Sequence, residues 1–232
     1  MSRTRIGALT IGQSPRWDLV DPMLGMLPGC DILQAGALDS LASKELPAAP
    51  AAGYPLGTRM RDGASVILDE SFILPRLQSA LSQLEDEGAV ATILMCAGTF
   101  SSLHGGKPLF VPFTIGCNQL CMLNFLRNGV VTPFVDQEKP TRMRWEAKGF
   151  QPNVWTADLG SQDNDLYRCF KEKIKQDDLT CIVLDYFGHP PDQVDKLQEN
   201  LDIPVVDLGR LAVVSLASTL QHDSDDIRVD EK

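Results

Sequence analysis

Val90-Ala91-Thr92-Ile93-Leu94-Met95-Cys96-Ala97-Gly98-Thr99 is an apolar run of strand length that breaks into a small, polar, glycine-containing turn. Such a run suits a strand covered on both faces, as in parallel sheets. A second run of the same style, Cys181-Ile182-Val183-Leu184, ends in Asp185-Tyr186-Phe187-Gly188-His189. Around both, strand-like and helix-like segments alternate, which predicts an α/β fold with mostly parallel sheets. The first strand is expected over 5–11, ended by Gly12-Gln13-Ser14-Pro15. Asp21-Pro22 reads as a helix start, Asp as cap and Pro in the first position. Residues 54–69 alternate as a hairpin about Asp62-Gly63. Residues 71–87 predict a helix capped by Ser71, with Pro75 in its first turn and Ile73, Leu77, Leu81 and Leu84 on one face. The second half predicts strands at 130–135, 181–184 and 203–206, and helices near 138–148, 164–176, 192–200 and 209–220. Similar element order predicts two pseudo-symmetric lobes, 1–110 and 111–220, free to exchange terminal elements. The acidic tail, 221–232, is expected to be disordered.

Composition narrows the function. With 232 residues, 44% hydrophobic and 22% charged, the chain matches an ordinary globular protein and needs no disulfide or metal staple. A net charge of −10 argues against a nucleic-acid partner, which needs a basic face. No apolar run approaches the ~18 residues of a membrane span, and the N-terminus shows no apolar signal core. The six cysteines are scattered without Cys-x-x-Cys spacing, so they are expected to be reduced thiols in a cytoplasmic protein. No Gly-x-Gly-x-x-Gly occurs, and Gly105-Gly106-Lys107 runs into Pro108, so no nucleotide cofactor is expected. Cys117 and Cys121 can share a helix face, but without His neighbours they make a poor metal site.

Ligands of open α/β sheets bind outside the carboxyl ends of the strands. Three turns stand there: Thr10 to Arg16, Cys96 to Ser102 and Asp185 to His189. A helix starting soon after Cys96 would turn free N–H groups toward the sulfur, lower its pKa and seat a carboxylate. The alternative is a thiol that packs under its loop. Asp185, Tyr186 and His189 could do acid–base work. Alternatively they are a helix cap, a packed phenol and a surface imidazole before Pro190. Thr10, Gln13, Ser14 and Arg16 share the first turn, where Arg16 suits bidentate carboxylate binding. The plainer alternative is a polar turn with a surface arginine.

Thr10-Ile11-Gly12-Gln13-Ser14-Pro15-Arg16, Gly36-Ala37-Leu38-Asp39, Thr58-Arg59-Met60-Arg61-Asp62-Gly63, Cys96-Ala97-Gly98-Thr99-Phe100 and Leu184-Asp185-Tyr186-Phe187-Gly188 together resemble the AroM family, over nearly the whole chain. The resemblance implies a relation to the aspartate/glutamate racemase superfamily, whose two α/β lobes enclose a cleft. Racemases there use one cysteine per lobe as opposed acid and base, decarboxylases manage with one, and isomerases form an adduct through a thiol. By that resemblance Cys96 is the first-lobe thiol, and Tyr186 stands where related sequences often place a second. Thr156-Ala157-Asp158 likewise departs from a Ser-Pro-Tyr-like turn. A phenol titrating at about 10 is a poor substitute for a thiol at about 8.5. The resemblance therefore implies a cofactor-independent isomerase, racemase or decarboxylase acting at a carbon next to a carboxylate. Cys96 would be proton donor or nucleophile, and Tyr186 a second acid. Thr10, Gln13, Gly98 and Thr99 would hold carboxylate oxygens, with Asp185 nearby and Arg16 or Arg59 on a second carboxylate. The expected ligand is a small carboxylic acid, and a homodimer is the default assembly. Two other readings compete. A non-catalytic carboxylate-binding protein is favoured by Tyr186, and a cysteine hydrolase would need His104 or His189 beside Cys96.

Overall fold

The computed structural model describes residues 3–48, 55–159 and 164–220. Tyr54 of the expected hairpin and the acidic tail lie outside the described residues. The elements run β1 (Thr4–Thr10), α1 (Trp17–Leu24), β2 (Cys30–Gly36), β3 (Pro55–Arg59), β4 (Ser65–Asp69), α2 (Glu70–Asp86), β5 (Ala91–Leu94), β6 (Leu109–Phe110) and α3 (Pro112–Met122). They continue as β7 (Asn128–Thr132), α4 (Glu138–Glu146), β8 (Asn153–Thr156), α5 (Asn164–Gln176), β9 (Cys181–Leu184), α6 (Pro191–Asn200), β10 (Val205–Asp207) and α7 (Leu208–Leu220).

Two four-stranded sheets form, ordered β2-β1-β5-β6 and β10-β9-β7-β8. Every pairing within them is parallel. Numbered by appearance within its lobe, each sheet has the order second, first, third, fourth, so the lobes share one topology. β3 and β4 pair antiparallel as a separate hairpin. Its turn is closed at Asp62-Gly63, where the Ala64 N–H bonds Asp62 Oδ1 at 2.9 Å.

Strand alternation divides each core in two. On β1, Ile6 and Ala8 face one cluster while Leu9 faces the other. On β5, Ala91 and Ile93 join the first cluster and Leu94 the second. Helix α2 covers the Leu9 side with Ile73, Leu77, Leu81 and Leu84, all fully buried. The opposite side is covered by α1 and by Ala212, Val213 and Leu216 of α7. That helix follows the second sheet in sequence yet roofs the first. Conversely α3, which leaves the first sheet, sets Phe113, Cys117 and Leu120 into the second. The two helices cross so closely that a Cβ on Gly116 would lie 2.3 Å from the Leu208 side chain.

Several expectations are corrected. Helix α1 opens at Trp17, because the Arg16 carbonyl already accepts from Leu19 and Val20 at 3.0 Å each. Pro22 falls in its second turn, near its end, where a missing N–H costs little structure. Asp69, not Ser71, caps α2 by accepting the Ser71 N–H, which moves Pro75 into the second turn. No helix follows Cys96: residues 97–108 are turns and loop, as their Gly98, Gly105, Gly106 and Pro108 favour. All six cysteines are free. No helix among the described residues is long and apolar enough to cross a membrane.

Candidate active site

Strand order reverses between β1 and β5 in one sheet and between β7 and β9 in the other, the places where α/β sheets open a crevice. These strand ends meet around one cavity of about 300 Å3. Thr10 and Cys96 border it from the first lobe, Phe134 and Tyr186 from the second. The β3–β4 hairpin contributes Leu56, Arg59 and Ile67 to its wall.

The hydrogen-bond register relates the two lobes residue by residue. Leu94 pairs with Leu9, and the next amide, Met95, donates to the Leu9 carbonyl at 2.8 Å. Leu184 pairs with Val131, and Asp185 donates to the Val131 carbonyl at 2.9 Å. Met95 thus corresponds to Asp185, Cys96 to Tyr186 and Ala97 to Phe187. The lobes also interlock here, since Ala97 packs in the second-sheet core and Phe187 in the first.

Cys96 is half-buried, and its Sγ accepts the Gly98 N–H at 3.2 Å. Burial pushes the thiol up to about 11, against the smaller downward pulls of that hydrogen bond and of Arg144. The expected thiolate at a helix N-terminus is therefore corrected: no helix starts in the turn after Cys96, and one amide does not offset desolvation. At neutral pH Cys96 is a protonated acid.

Arg144 is the residue that the sequence analysis missed. From α4 it donates to the Ala97 carbonyl at 2.5 Å and pairs with the Asp185 carboxylate. Its guanidinium lies 4.3 Å from the centre of the Phe113 ring. The Trp145 indole N–H reaches the same Asp185 Oδ2 at 3.1 Å. Asp185 thus borders the cavity, but its side chain has no exposed surface and serves to anchor Arg144. Nothing in one sequence separates Arg144 from Arg142, two residues earlier, which donates to the Pro152 carbonyl.

The other expected residues divide. Thr10, Arg16, Arg59 and Gly98 border the cavity; Gln13 and Thr99 do not. Gln13 is corrected from ligand to structural bolt. Its Nε2 donates to the Leu38 and Leu41 carbonyls at 3.0 and 2.8 Å, and its Oε1 accepts the Arg61 N–H at 2.7 Å. Thr10 Oγ1 accepts the Gly12 N–H at 3.2 Å and keeps its own proton to donate. Arg16 is committed to Asp18 through two bonds of 2.8 and 2.7 Å, and this pairing holds the Asp18 carboxyl below its usual range. Arg59 makes no ion pair among the described residues, so its cation is available. His189 is not the surface imidazole expected: its Nε2 is buried. Neither His104 nor His189 borders the cavity, so neither stands where a cysteine hydrolase would need its base.

The model of the family described as AroM protein matches residues 6–221. No protein of curated function matches the sequence. Among solved structures the chain is similar to allantoin racemase from Klebsiella pneumoniae, at 18% identity and TM-score 0.61, covering 94% of this chain and 87% of that one. It is similar to an unliganded arylmalonate decarboxylase at 16% identity and TM-score 0.63, covering 96% and 94%. The maleate isomerase Iso from Pseudomonas putida S16 matches at 10% identity and TM-score 0.61, covering 94% and 92%. At these identities the likeness shows the fold, an α/β architecture of the racemase kind.

Proposed function

The chain belongs to the AroM family, and we propose that it catalyses proton transfer at a carbon next to the carboxylate of a small organic acid. The solved structures that it resembles include a racemase, a decarboxylase and an isomerase. The observation that carries the reading is one cysteine at a strand end, in a cavity shared with a guanidinium that makes no ion pair among the described residues and with a hydroxyl donor. Arg59 and Thr10 hold the carboxylate and stabilise the enolate-like charge that develops on it. The α-substituent leaves without its bonding pair, as CO2 or as a proton passed to water, which forms the enolate; Cys96 then delivers its proton to that carbon, and the resulting thiolate regains one from water. Arg144, tied to both lobes, fixes the turn carrying Cys96 and eases the transient thiolate charge. Tyr186 stands at the position equivalent to Cys96, which gives the cleft unlike acids on its two sides and favours one-sided protonation over two-thiol racemisation.

The same asymmetry supports a second reading, a carboxylate-binding protein that has lost one catalytic group. Small carboxylic acids incubated in deuterated water separate the two. A catalyst exchanges or releases the α-substituent, followed by NMR, and Cys96→Ser lowers the rate by about 10²–10⁴. Binding without exchange supports the second reading. Exchange that survives in Cys96→Ser removes the thiol from the mechanism.

A further inference from the structure

Charge in the cleft is mostly spent within the protein. Three arginines border the cavity. Arg16 is engaged with Asp18, and Arg144 with Asp185 and the Ala97 carbonyl. Arg59, the third, makes no ion pair among the described residues. Asp185 is the carboxylate that borders the space among those residues, and it is already taken by Arg144 and the Trp145 indole. The cleft therefore pairs one carboxylate readily, and has no free anion for the ammonium of an amino acid. The rest of the mouth is apolar. Ile67 of β4 and Phe134, just after β7, border the cavity yet are 46% and 56% exposed. Large apolar side chains left open around a cavity mark a surface that a ligand covers. Leu56, which is buried, continues the same wall. Phe134 is held in place, since Thr132 Oγ1 donates to its carbonyl at 2.9 Å and accepts its N–H at 3.3 Å. Its ring reaches the hairpin, where a Cβ on Gly57 would lie 3.4 Å from it. An apolar cavity of about 150 Å3 in another protein admits benzene, so about 300 Å3 holds a ring together with a carboxylate.

We propose that the acid held in the cleft carries a ring-sized apolar group on the carbon next to its carboxylate, and neither an amino group nor a second carboxylate that must be bound. The carboxylate lies on Arg59, and the apolar group lies between Ile67 of one lobe and Phe134 of the other. These two side chains are the specificity-determining residues. The inference rests on the cleft being a carboxylate site, as read above, but not on turnover. It also corrects the sequence expectation of a second carboxylate on Arg16, because Asp18 holds that guanidinium.

Four acids test this by calorimetry on the full chain, with methyl-¹³C-methionine NMR of Met95, which borders the cavity, reporting the place of binding. They are propanoate, 2-phenylpropanoate, 2-phenylglycine, which trades a methyl for an ammonium, and methylsuccinate, which trades the phenyl for a second carboxylate. 2-Phenylpropanoate is expected to bind about tenfold more tightly than propanoate, and the other two no more tightly than propanoate. Phe134→Ala, at an exposed position, should remove that tenfold gain and leave propanoate unchanged. Ile67→Arg supplies a second cation and should turn the preference toward methylsuccinate. A phenyl group that adds nothing, or a gain that survives in Phe134→Ala, overturns the inference while propanoate binding keeps the carboxylate site. So does wild-type preference for methylsuccinate or 2-phenylglycine. A Met95 signal unmoved by every acid overturns the carboxylate site itself, and this inference with it.

Discussion

A sulfur whose proton leaves only near pH 11 gives chemistry opposite to that of a resting nucleophile. Below that value the reactive anion grows with each step of alkalinity, so alkylation of Cys96 by iodoacetamide should climb about tenfold per pH unit from 7 to 10. Peptide mapping of the modified cysteine measures this, and a plateau near neutrality contradicts it. The position of Cys96 was legible, because an apolar run ending in a small polar turn marks a strand end. Its ionisation was not. That depended on whether residues 97–108 coil into a helix, and on Arg144 and Asp185 arriving from a distant part of the chain. Gln13 failed for a similar reason: a polar side chain in a strand-end turn reads alike whether it meets a ligand or a neighbouring carbonyl.

Between elements, the decisive contact is that of the first turn with the hairpin. A Cβ on Gly12 would lie 2.5 Å from the Arg59 carbonyl and 2.3 Å from Thr58 Oγ1. Because the obstacle includes backbone, Gly12→Ala must push β3 away, at a cost of about 1–3 kcal/mol. Urea denaturation should show that loss, and hydrogen exchange should quicken at β3 and β4 ahead of the central strands. Unchanged stability and exchange would mean that the hairpin is held by other contacts. The hairpin itself was readable from Leu56, Thr58, Val66 and Leu68 about Asp62-Gly63. So were α2 and α5, whose periodicity is long enough to register. The β2, β6 and β8 strands and helix α3 were not recognised. β6 has two residues, β2 is only partly buried along most of its length, and α3 sets Gly116 and Cys117 into its buried face.

Across the whole molecule, matching sheet orders confirm that the two halves repeat one plan, although no aligned sequence repeat reveals it. The reason lies in the insertions: the first lobe carries a hairpin before α2 and has an open loop where the second carries α6. Leu216, fully buried from α7 against the first sheet, ties the far ends of the chain together. Leu216→Ala should cost about 2–5 kcal/mol, and exchange should accelerate in β1 and β5 before it does in β7 and β9. Equal acceleration in both sheets would show that α7 supports them alike.

The exchanged helices also set a schedule for biosynthesis. As the polypeptide leaves the ribosome, the strands of the first sheet emerge long before α7, and one side of that sheet waits covered by α1 alone until α7 has been made. A nascent chain stalled before α7 should therefore attract chaperones, and release should follow only once Leu216 has cleared the exit tunnel.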